Sequence, residues 1–196
     1  MNSMRKLSGK RIAILVADGF EQVELTDPRV ALEDDGAETQ VVSPAGKSVK
    51  AWKSTDWGRS LKVDVALDDA DPARYDALLL PGGVMNPDKL RLAPKAIAFI
   101  RAFGASGKPI AAICHGPWTL IDAGLVHGKR MTSWPSLRTD LRNAGASWVD
   151  EEVVVDGQLV TSRKPGDIPA FSREMTKLFA QSITQQWFPS TPHASH

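Results

Sequence analysis

Cysteine is nearly absent from this chain, since Cys114 is the one cysteine among 196 residues. A single thiol excludes an intrachain disulfide and any metal site built from several thiolates. It is also typical of proteins that work in a reducing compartment. Any thiol chemistry in this protein must therefore be carried by Cys114.

A large excess of either charge is also absent: Lys and Arg number 24 and Asp and Glu number 23, for a net charge of +1. Without a basic block the chain has no electrostatic footprint for nucleic acid. No apolar run approaches the length of a membrane span, and residues 1–10 lack the apolar core of a secretion signal. We therefore expect a cytoplasmic protein whose partners are neither nucleic acid nor membrane.

Familiar cofactor and metal motifs are missing as well. The chain has no glycine-rich dinucleotide or phosphate loop, no H-E-x-x-H zinc motif and no G-x-S-x-G elbow. Of its four histidines, His127 is expected in a loop and His193 and His196 in a tail, which leaves His115 beside Cys114. We expect neither a cofactor nor a bound metal ion.

What the sequence does contain is an alternation of strand and helix patterns. The main predicted strands are 11–17, 39–43, 77–80 and 110–114. The main predicted helices are 21–35, 88–107 and 168–183. Pro28 is expected to break or kink the first helix and Pro94 to split the second. Residues 47–65 are predicted to form a β excursion or a hairpin near an edge of the sheet, and residues 153–161 a β-hairpin. The pattern predicts one α/β sandwich with a mostly parallel sheet over residues 10–187, between tails at 1–9 and 188–196.

The last of these strands ends at Cys114, which is followed by His115, Gly116 and Pro117. Because Gly-Pro cannot extend a central strand, the chain must turn there, and Pro117 suits the first turn of a helix. The pattern Ala112-x-Cys114-x-Gly116 has the form of a nucleophile elbow. A thiol at a helix start has a lowered pKa, so we predict a Cys114 thiolate at neutral pH with a pKa of roughly 4–7.

The alternative is that Cys114 is a small buried hydrophobe, the commoner fate of a lone cysteine after an apolar strand. Two features favour a reactive thiol. Open α/β sheets bind ligands at the carboxyl ends of their strands, and His115 is placed to act as a base. Adjacent residues often point apart, so His115 could instead contribute only its backbone N–H, to an oxyanion.

Two further segments follow strands at the same edge of the sheet. Residues 81–83 (Pro-Gly-Gly) offer backbone N–H groups for an oxyanion hole, although a plain tight turn has the same pattern. Glu21 follows the first strand, where its carboxyl could hold or accept the thiol proton, unless it is a solvated surface group. Glu24, one helical turn later, is expected to be structural. Three of the six tryptophans are candidates either for a pocket wall or for core packing: Trp52, Trp118 and Trp134.

Together these motifs resemble the PfpI branch of the ThiJ/PfpI superfamily. The resemblance rests on A-I-C-H-G-P at 112–117, L-P-G-G at 80–83, F-E-Q-V-E at 20–24 and E-V-V-V-D-G at 152–157. It runs from about residue 10 to residue 180. It implies a flavodoxin-like three-layer sandwich, a glutamine-amidotransferase-like nucleophile, and homodimers that in some members build into hexamers.

By the same resemblance, Cys114 is the nucleophile and Glu21 is the buried carboxyl that hydrogen-bonds it. Gly83 and His115 are the oxyanion donors, and His115 is also the base. In peptidase-type members a carboxylate from a neighbouring subunit orients that histidine. The matching residue here is Asp88, where such members can carry Glu.

The resemblance leaves three functions open. Our main expectation is a stress-protective peptidase or amidase that works through an acyl-Cys114. The second is cofactor-free chemistry on reactive carbonyls: Cys114 adds to methylglyoxal as a hemithioacetal and a base moves a proton to give lactate, or a glycated group is repaired. The third is a redox sensor or chaperone with Cys114 oxidised to sulfenic acid. The expected ligand is a small carbonyl or a peptide.

Overall fold

The computed structural model describes residues 5–181. The strands in this range are β1 (Arg11–Leu15), β2 (Glu38–Ser43), β3 (Ser48–Lys53), β4 (Asp56–Lys62), β5 (Val65–Ala66), β6 (Ala77–Leu80), β7 (Ile110–Ile113), β8 (Arg130–Met131), β9 (Ser147–Trp148), β10 (Val153–Asp156) and β11 (Leu159–Ser162). The helices are α1 (Gln22–Asp34), α2 (Met85–Arg91), α3 (Pro94–Ala105), α4 (Trp118–Asp122), α5 (Arg138–Asn143) and α6 (Ile168–Ala180). The predicted tail at 188–196 lies outside the described residues.

Seven strands form the central sheet in the order β10-β11-β7-β6-β1-β2-β5. Neighbouring strands pair in parallel except in the β10–β11 hairpin. Strand β1, inside the sheet, is covered on both faces, and its sequence is therefore a continuous apolar run rather than an alternating one. The predicted mostly parallel sheet is confirmed.

Two apolar clusters cover the two faces of this sheet. On one face, Leu25 of α1 and Phe171 of α6 pack with Ile14 of β1. On the other, buried side chains of helices α2 to α5 form a second cluster with Ala13 and Leu15 of β1, and Ile100 of α3 belongs to it. The molecule is therefore an α/β sandwich of three layers, as predicted. None of the helices in residues 5–181 combines the length and apolar character needed to cross a membrane.

The two prolines predicted to interrupt helices behave differently. Pro94 is the first residue of α3 and separates it from α2, as predicted. Pro28, in contrast, lies inside α1 and does not break it. The prediction of a break there is wrong, because buried Leu25 and Leu32 on either side of Pro28 hold both halves of the helix against the same core.

The β3–β4 hairpin, predicted over residues 47–65, forms a separate two-stranded sheet. It is tied to the loop after β1 by two backbone hydrogen bonds, Gly19 N–H to Lys50 O (2.8 Å) and Trp52 N–H to Phe20 O (2.7 Å). These bonds place the hairpin beside the carboxyl end of β1.

The carboxyl ends of β7, β6 and β1 lie side by side in the middle of the sheet. From β1 the chain first builds one half of the sheet, through β2 and β5, and then returns to build the other half from β6. Such a reversal of strand order opens a crevice at the carboxyl ends of the strands, where α/β proteins bind ligands. The segments after these three strands are the ones that the sequence singles out.

Two leucines that lie two positions apart, Leu90 and Leu92, test how α2 packs next to this crevice. Leu90 in α2 is 1% exposed and Leu92 just after it is 82% exposed. We expect Leu90→Ala to lower the free energy of unfolding by about 2–5 kcal/mol, and Leu92→Ala to change it by less than about 0.5 kcal/mol. Urea unfolding of the two variants measures both, and equal losses would contradict the packing.

Candidate active site

Cys114 lies in a strained turn directly after β7. Its φ is 62°, in the left-handed region that residues other than glycine rarely adopt, and such a conformation costs about 1–3 kcal/mol. Backbone hydrogen bonds from both sides hold it there: Cys114 N–H donates to Ser162 O (3.0 Å), and Trp134 N–H donates to Cys114 O (2.9 Å). The predicted elbow is confirmed.

Glycines are required around this turn because neighbouring segments of the chain approach one another closely there. A Cβ on Gly116 would lie 2.5 Å from the Leu80 carbonyl oxygen. A Cβ on Gly82 would lie 2.7 Å from the Cys114 Cβ and 2.5 Å from the Glu24 Oε2. The motif glycines therefore make room for the thiol and for a carboxyl group beside it.

That carboxyl group belongs to Glu24 and not to Glu21, so the sequence-based assignment of Glu21 is wrong. Glu24, in the first turn of α1, is fully buried, faces the Cys114 thiol, and accepts a hydrogen bond from Gly82 N–H (2.8 Å). Glu21 is the N-cap residue of α1, and its carboxylate turns outward to Ser54 N–H, 3.3 Å from each oxygen. The rotation of α1 against the sheet decides between Glu21 and Glu24, because only Glu24 faces the sheet.

Burial controls the protonation of this pair. It raises the pKa of Glu24 to about 8, so the carboxyl holds its proton at neutral pH. Burial and the negative charge of an ionised Glu24 also raise the pKa of the Cys114 thiol. While Glu24 is protonated that charge is absent, and the backbone N–H groups of Gly83 and His115 lower the thiol pKa. The two groups therefore titrate as a coupled pair.

The helix that follows the elbow does not supply the predicted lowering of the thiol pKa. Helix α4 begins at Trp118, four residues after Cys114, and is five residues long. A helix dipole acts over its first turn only, so the sulfur is too far from a helix start of this size. The hydrogen-bond donors named above do lower the thiol pKa, but they act against burial, which raises it. The predicted thiolate with a pKa of roughly 4–7 therefore stays a prediction.

His115 does bring its side chain to the thiol. Its Nδ1 lies 3.2 Å from the Cys114 Sγ, and its ring stacks on Trp134 with centroids 5.7 Å apart. Burial lowers the pKa of His115 to about 4, so the imidazole is neutral at neutral pH. In the described part of the chain no carboxylate hydrogen-bonds this ring. Asp88 is exposed on α2 and does not line the cavity into which the thiol opens. Its predicted role in a neighbouring subunit stays a prediction.

The thiol opens into a cavity of about 600 Å³. Its walls come from the β1 loop, the β3–β4 hairpin, the Gly83 turn, the elbow and the loop before α6: Glu21, Glu24, Trp52, Ser54, Gly83, Val84, Met85, Cys114, His115, Trp134 and Pro165. Two of the three candidate tryptophans thus line it, and Trp118 lies outside and donates its indole N–H to Asp140. Within residues 5–181 no group of three or more His, Cys, Asp or Glu side chains could hold a metal ion.

Asn86 supports the Gly82–Gly83 turn and was missed by the sequence analysis. It is fully buried; its Oδ1 accepts from Ala17 N–H (2.7 Å), and its amide donates to Pro81 O (3.0 Å) and Gly82 O (3.1 Å). These bonds tie the end of β1 to the end of β6. A polar residue two positions inside a helix gives no sequence signal for this role.

The sequence profile of the DJ-1/PfpI family matches residues 10–178, which include all of the residues around the thiol. The chain belongs to the DJ-1/PfpI family. This confirms the resemblance seen in the sequence, and the match covers most of the predicted single domain.

Three relatives in this family match nearly their whole length. Deglycase PfpI of Pyrococcus furiosus is 45% identical over 168 residues, covering 86% of this chain and 98% of the relative. Protein/nucleic acid deglycase 2 of Escherichia coli is 46% identical over 171 residues, covering 86% and 97%. A Bacillus subtilis relative named putative cysteine protease YraA is 45% identical over 170 residues, covering 86% and 98%.

A solved structure agrees with the fold. DJ-1beta of Drosophila melanogaster superimposes with a TM-score of 0.80 at 31% sequence identity, covering 89% of this chain and 91% of that one. The flavodoxin-like arrangement expected of the DJ-1/PfpI family is therefore the arrangement of this chain.

The first test of the site is the pH dependence of Cys114 alkylation. A protonated Glu24 donates to the thiolate and stabilises it, so Glu24→Gln should raise the apparent pKa of Cys114 by about one unit and slow alkylation at neutral pH. Glu21→Gln, which leaves the thiol contact intact, should shift that pKa by much less. The measurement is the iodoacetamide rate against pH; a fall in the pKa on Glu24→Gln would show that Glu24 is ionised beside the thiol.

The second test concerns Asn86. Asn86→Ala removes the hydrogen-bond partner of the buried Ala17 N–H and Pro81 O, at about 1–3 kcal/mol for each, so we expect unfolding at lower urea concentration. Because the Gly83 N–H would shift, we also expect slower alkylation of Cys114 in the folded variant. Asn143→Ala on the exposed end of α5 is the control and should change neither. An unchanged alkylation rate in a destabilised Asn86→Ala protein would limit Asn86 to a structural role.

Proposed function

We propose that this protein is a cofactor-free deglycase, which cleaves the adducts of methylglyoxal-like dicarbonyls with amines and thiols and releases the carbonyl fragment as a 2-hydroxy acid. The observation that carries the proposal is the pairing of Cys114 with Glu24, a buried carboxyl protonated at neutral pH, in a cavity of about 600 Å³. Two relatives named deglycases, with about 45% identity, support it.

The proposed reaction needs no external oxidant. The Cys114 sulfur attacks the carbinol carbon of the adduct, and the bond from that carbon to the amine nitrogen breaks, so that a hemithioacetal forms on Cys114. A proton then moves from this carbon to the neighbouring ketone carbon, and the hydroxyl proton of the first carbon passes to the ketone oxygen. The first carbon is thereby oxidised to a thioester and the second reduced to an alcohol. Water hydrolyses the thioester to lactate and restores the thiol.

Glu24 is suited to move the protons of this sequence. It starts protonated and gives its proton to the departing amine nitrogen, becoming a carboxylate as the carbon–sulfur bond forms. The carboxylate then takes the proton from the hemithioacetal carbon and returns it to the neighbouring carbon. The N–H groups of Gly83 and His115, directed at the Cys114 side chain, are placed to stabilise the negative oxygen that develops.

Peptide hydrolysis, our main expectation from the sequence, has less support. A peptidase of the predicted type needs an oriented histidine base, and within the described chain His115 has no carboxylate partner and a pKa lowered to about 4. One relative carries the name of a putative cysteine protease. We therefore treat peptide hydrolysis as an outcome of the experiment.

The experiment follows amine release and lactate formation from the methylglyoxal adduct of Nα-acetyl-lysine. A deglycase must release the amine faster than the adduct dissociates spontaneously, whereas an enzyme that consumes only free methylglyoxal cannot exceed that rate. We expect release above the spontaneous rate. Cys114→Ala should abolish it, and Glu24→Gln should lower it by a factor of about 10²–10⁴, the usual contribution of an acid–base group.

The control variant is Glu174→Gln, because Glu174 pairs with Lys177 on α6 and does not line the cavity. It should keep the full rate. Amine release limited to the spontaneous rate would contradict the deglycase proposal. Cys114-dependent cleavage of a fluorogenic peptide without lactate formation would favour the peptidase instead.

A further inference from the structure

Glu21 remains without a task once Glu24 has been placed beside the thiol. Its carboxylate lies on the wall of the cavity and accepts from Ser54 N–H, which is 3.3 Å from each of its oxygens. Ser54 is the first of the two residues that join Lys53 to Asp56 at the tip of the β3–β4 hairpin. The side chain of Glu21 therefore connects the start of α1 to the tip of this hairpin.

The backbone of Ser54 needs such a contact. Its φ is 58°, in the left-handed region that is unfavourable for residues other than glycine. Two-residue hairpin loops with a positive φ at their first position favour glycine there. A serine keeps this conformation when contacts with the surrounding structure hold it, and the hydrogen bond from its N–H to Glu21 is one of these contacts.

Ser54 in turn holds the side chain of Trp52. Trp52 lines the cavity, and its Nε1–H donates to the Ser54 carbonyl oxygen (2.9 Å). The backbone of Trp52 is fixed separately, because its N–H donates to Phe20 O (2.7 Å). Trp57 packs edge-on against the indole, with ring centroids 5.5 Å apart. The indole thus takes its packing from Trp57 and its hydrogen bond from Ser54.

Two hydrogen bonds in series therefore lead from Glu21 to the cavity wall. If the Glu21 carboxylate is removed, Ser54 N–H loses its partner and the strained turn can relax. A relaxed turn moves the Ser54 carbonyl, and the bond that holds the indole is weakened. Tryptophan has a large side chain, so its freedom to move changes the space available in a cavity of about 600 Å³.

We propose that Glu21 is a positioning residue, which acts through Ser54 to fix the Trp52 indole as a rigid wall and so limits the size of the molecules that reach Cys114. Trp52 is then the residue that determines the size specificity of the site. An alkylating reagent passes the same walls as a substrate. The inference can therefore be tested on the thiol itself and does not rest on the proposed deglycase reaction.

The experiment compares two alkylating reagents of different bulk on Cys114 in the full chain. Iodoacetamide is small, whereas N-(1-adamantyl)iodoacetamide carries a rigid, uncharged, bulky substituent on the same reacting group. The ratio of their rate constants, bulky over small, cancels any change in the reactivity of the thiol. We expect Glu21→Ala to raise this ratio by a factor of about 2–10, the range that the loss of one hydrogen bond supports.

Two variants serve as controls for this increase. Glu21→Gln keeps an amide oxygen that can accept from Ser54 N–H, so it should keep the ratio of the parent. Glu174→Ala makes the same truncation on α6, at a residue that does not line the cavity, and should also keep it. A ratio raised equally in all three variants would contradict the proposed role of Glu21.

Trp52→Phe tests the second hydrogen bond, because phenylalanine keeps a ring at this position but has no Nε1–H. It should raise the ratio by a similar factor. Adding Glu21→Ala to Trp52→Phe should cause no further rise, because two changes that break the same series of contacts are not additive. A further rise in the double variant, or an unchanged ratio in either single variant, would overturn the inference.

Hydrogen exchange of the Trp52 indole N–H reports the positioning directly. It is followed by NMR, and the resonance is assigned by its loss in Trp52→Phe. We expect exchange with water to be faster in Glu21→Ala by the same factor of about 2–10 and unchanged in Glu21→Gln. Unchanged exchange in Glu21→Ala would show that Ser54 holds the indole without Glu21, against the proposal. A negative deglycase assay would overturn the proposed function and leave this inference standing.

Discussion

The active site depends on one constraint, the left-handed backbone at Cys114. That conformation, with a φ of 62°, lifts the thiol out of the strand and brings it between the turns that follow β1 and β6. It is tolerated because Ser162 and Trp134 anchor the cysteine backbone on both sides. It also crowds the neighbouring chains, so that Gly82 and Gly116 have no room for a side chain. The glycines, the elbow and the strand order therefore depend on one another.

The same crowding sets the chemistry. Gly82 leaves the space into which the Glu24 carboxyl enters, and its N–H holds one carboxyl oxygen at 2.8 Å. A carboxyl so buried resists ionisation, because removing a charge from water is expensive in an apolar site. Held in its protonated form at neutral pH, it can donate a hydrogen bond to the sulfur. A half-exposed carboxylate such as Glu21, which accepts from Ser54 N–H, could not do this.

Much of this could be predicted from the sequence, and the failures have physical reasons. The short apolar runs identify the parallel strands, and the small residues around Cys114 identify the elbow, because both patterns are local. The choice between Glu21 and Glu24 depends on where α1 begins and on how it is rotated against the sheet. Neither can be read from the spacing of three residues between the two glutamates. Asn86 acts through bonds to residues far away in sequence, such as Ala17. The partner of Asp88 would lie in another subunit, beyond what one chain describes.

The central claim is that Glu24 is protonated beside Cys114 in the folded protein at neutral pH. Infrared difference spectroscopy of the parent protein against Glu24→Gln tests it without reference to any substrate, because a carboxylic acid and a carboxylate absorb at different frequencies. We predict a carboxylic-acid carbonyl band in the parent at neutral pH that is absent from Glu24→Gln and disappears as the pH is raised through about 8. A carboxylate band from Glu24 at neutral pH, with no acid band, would contradict the account.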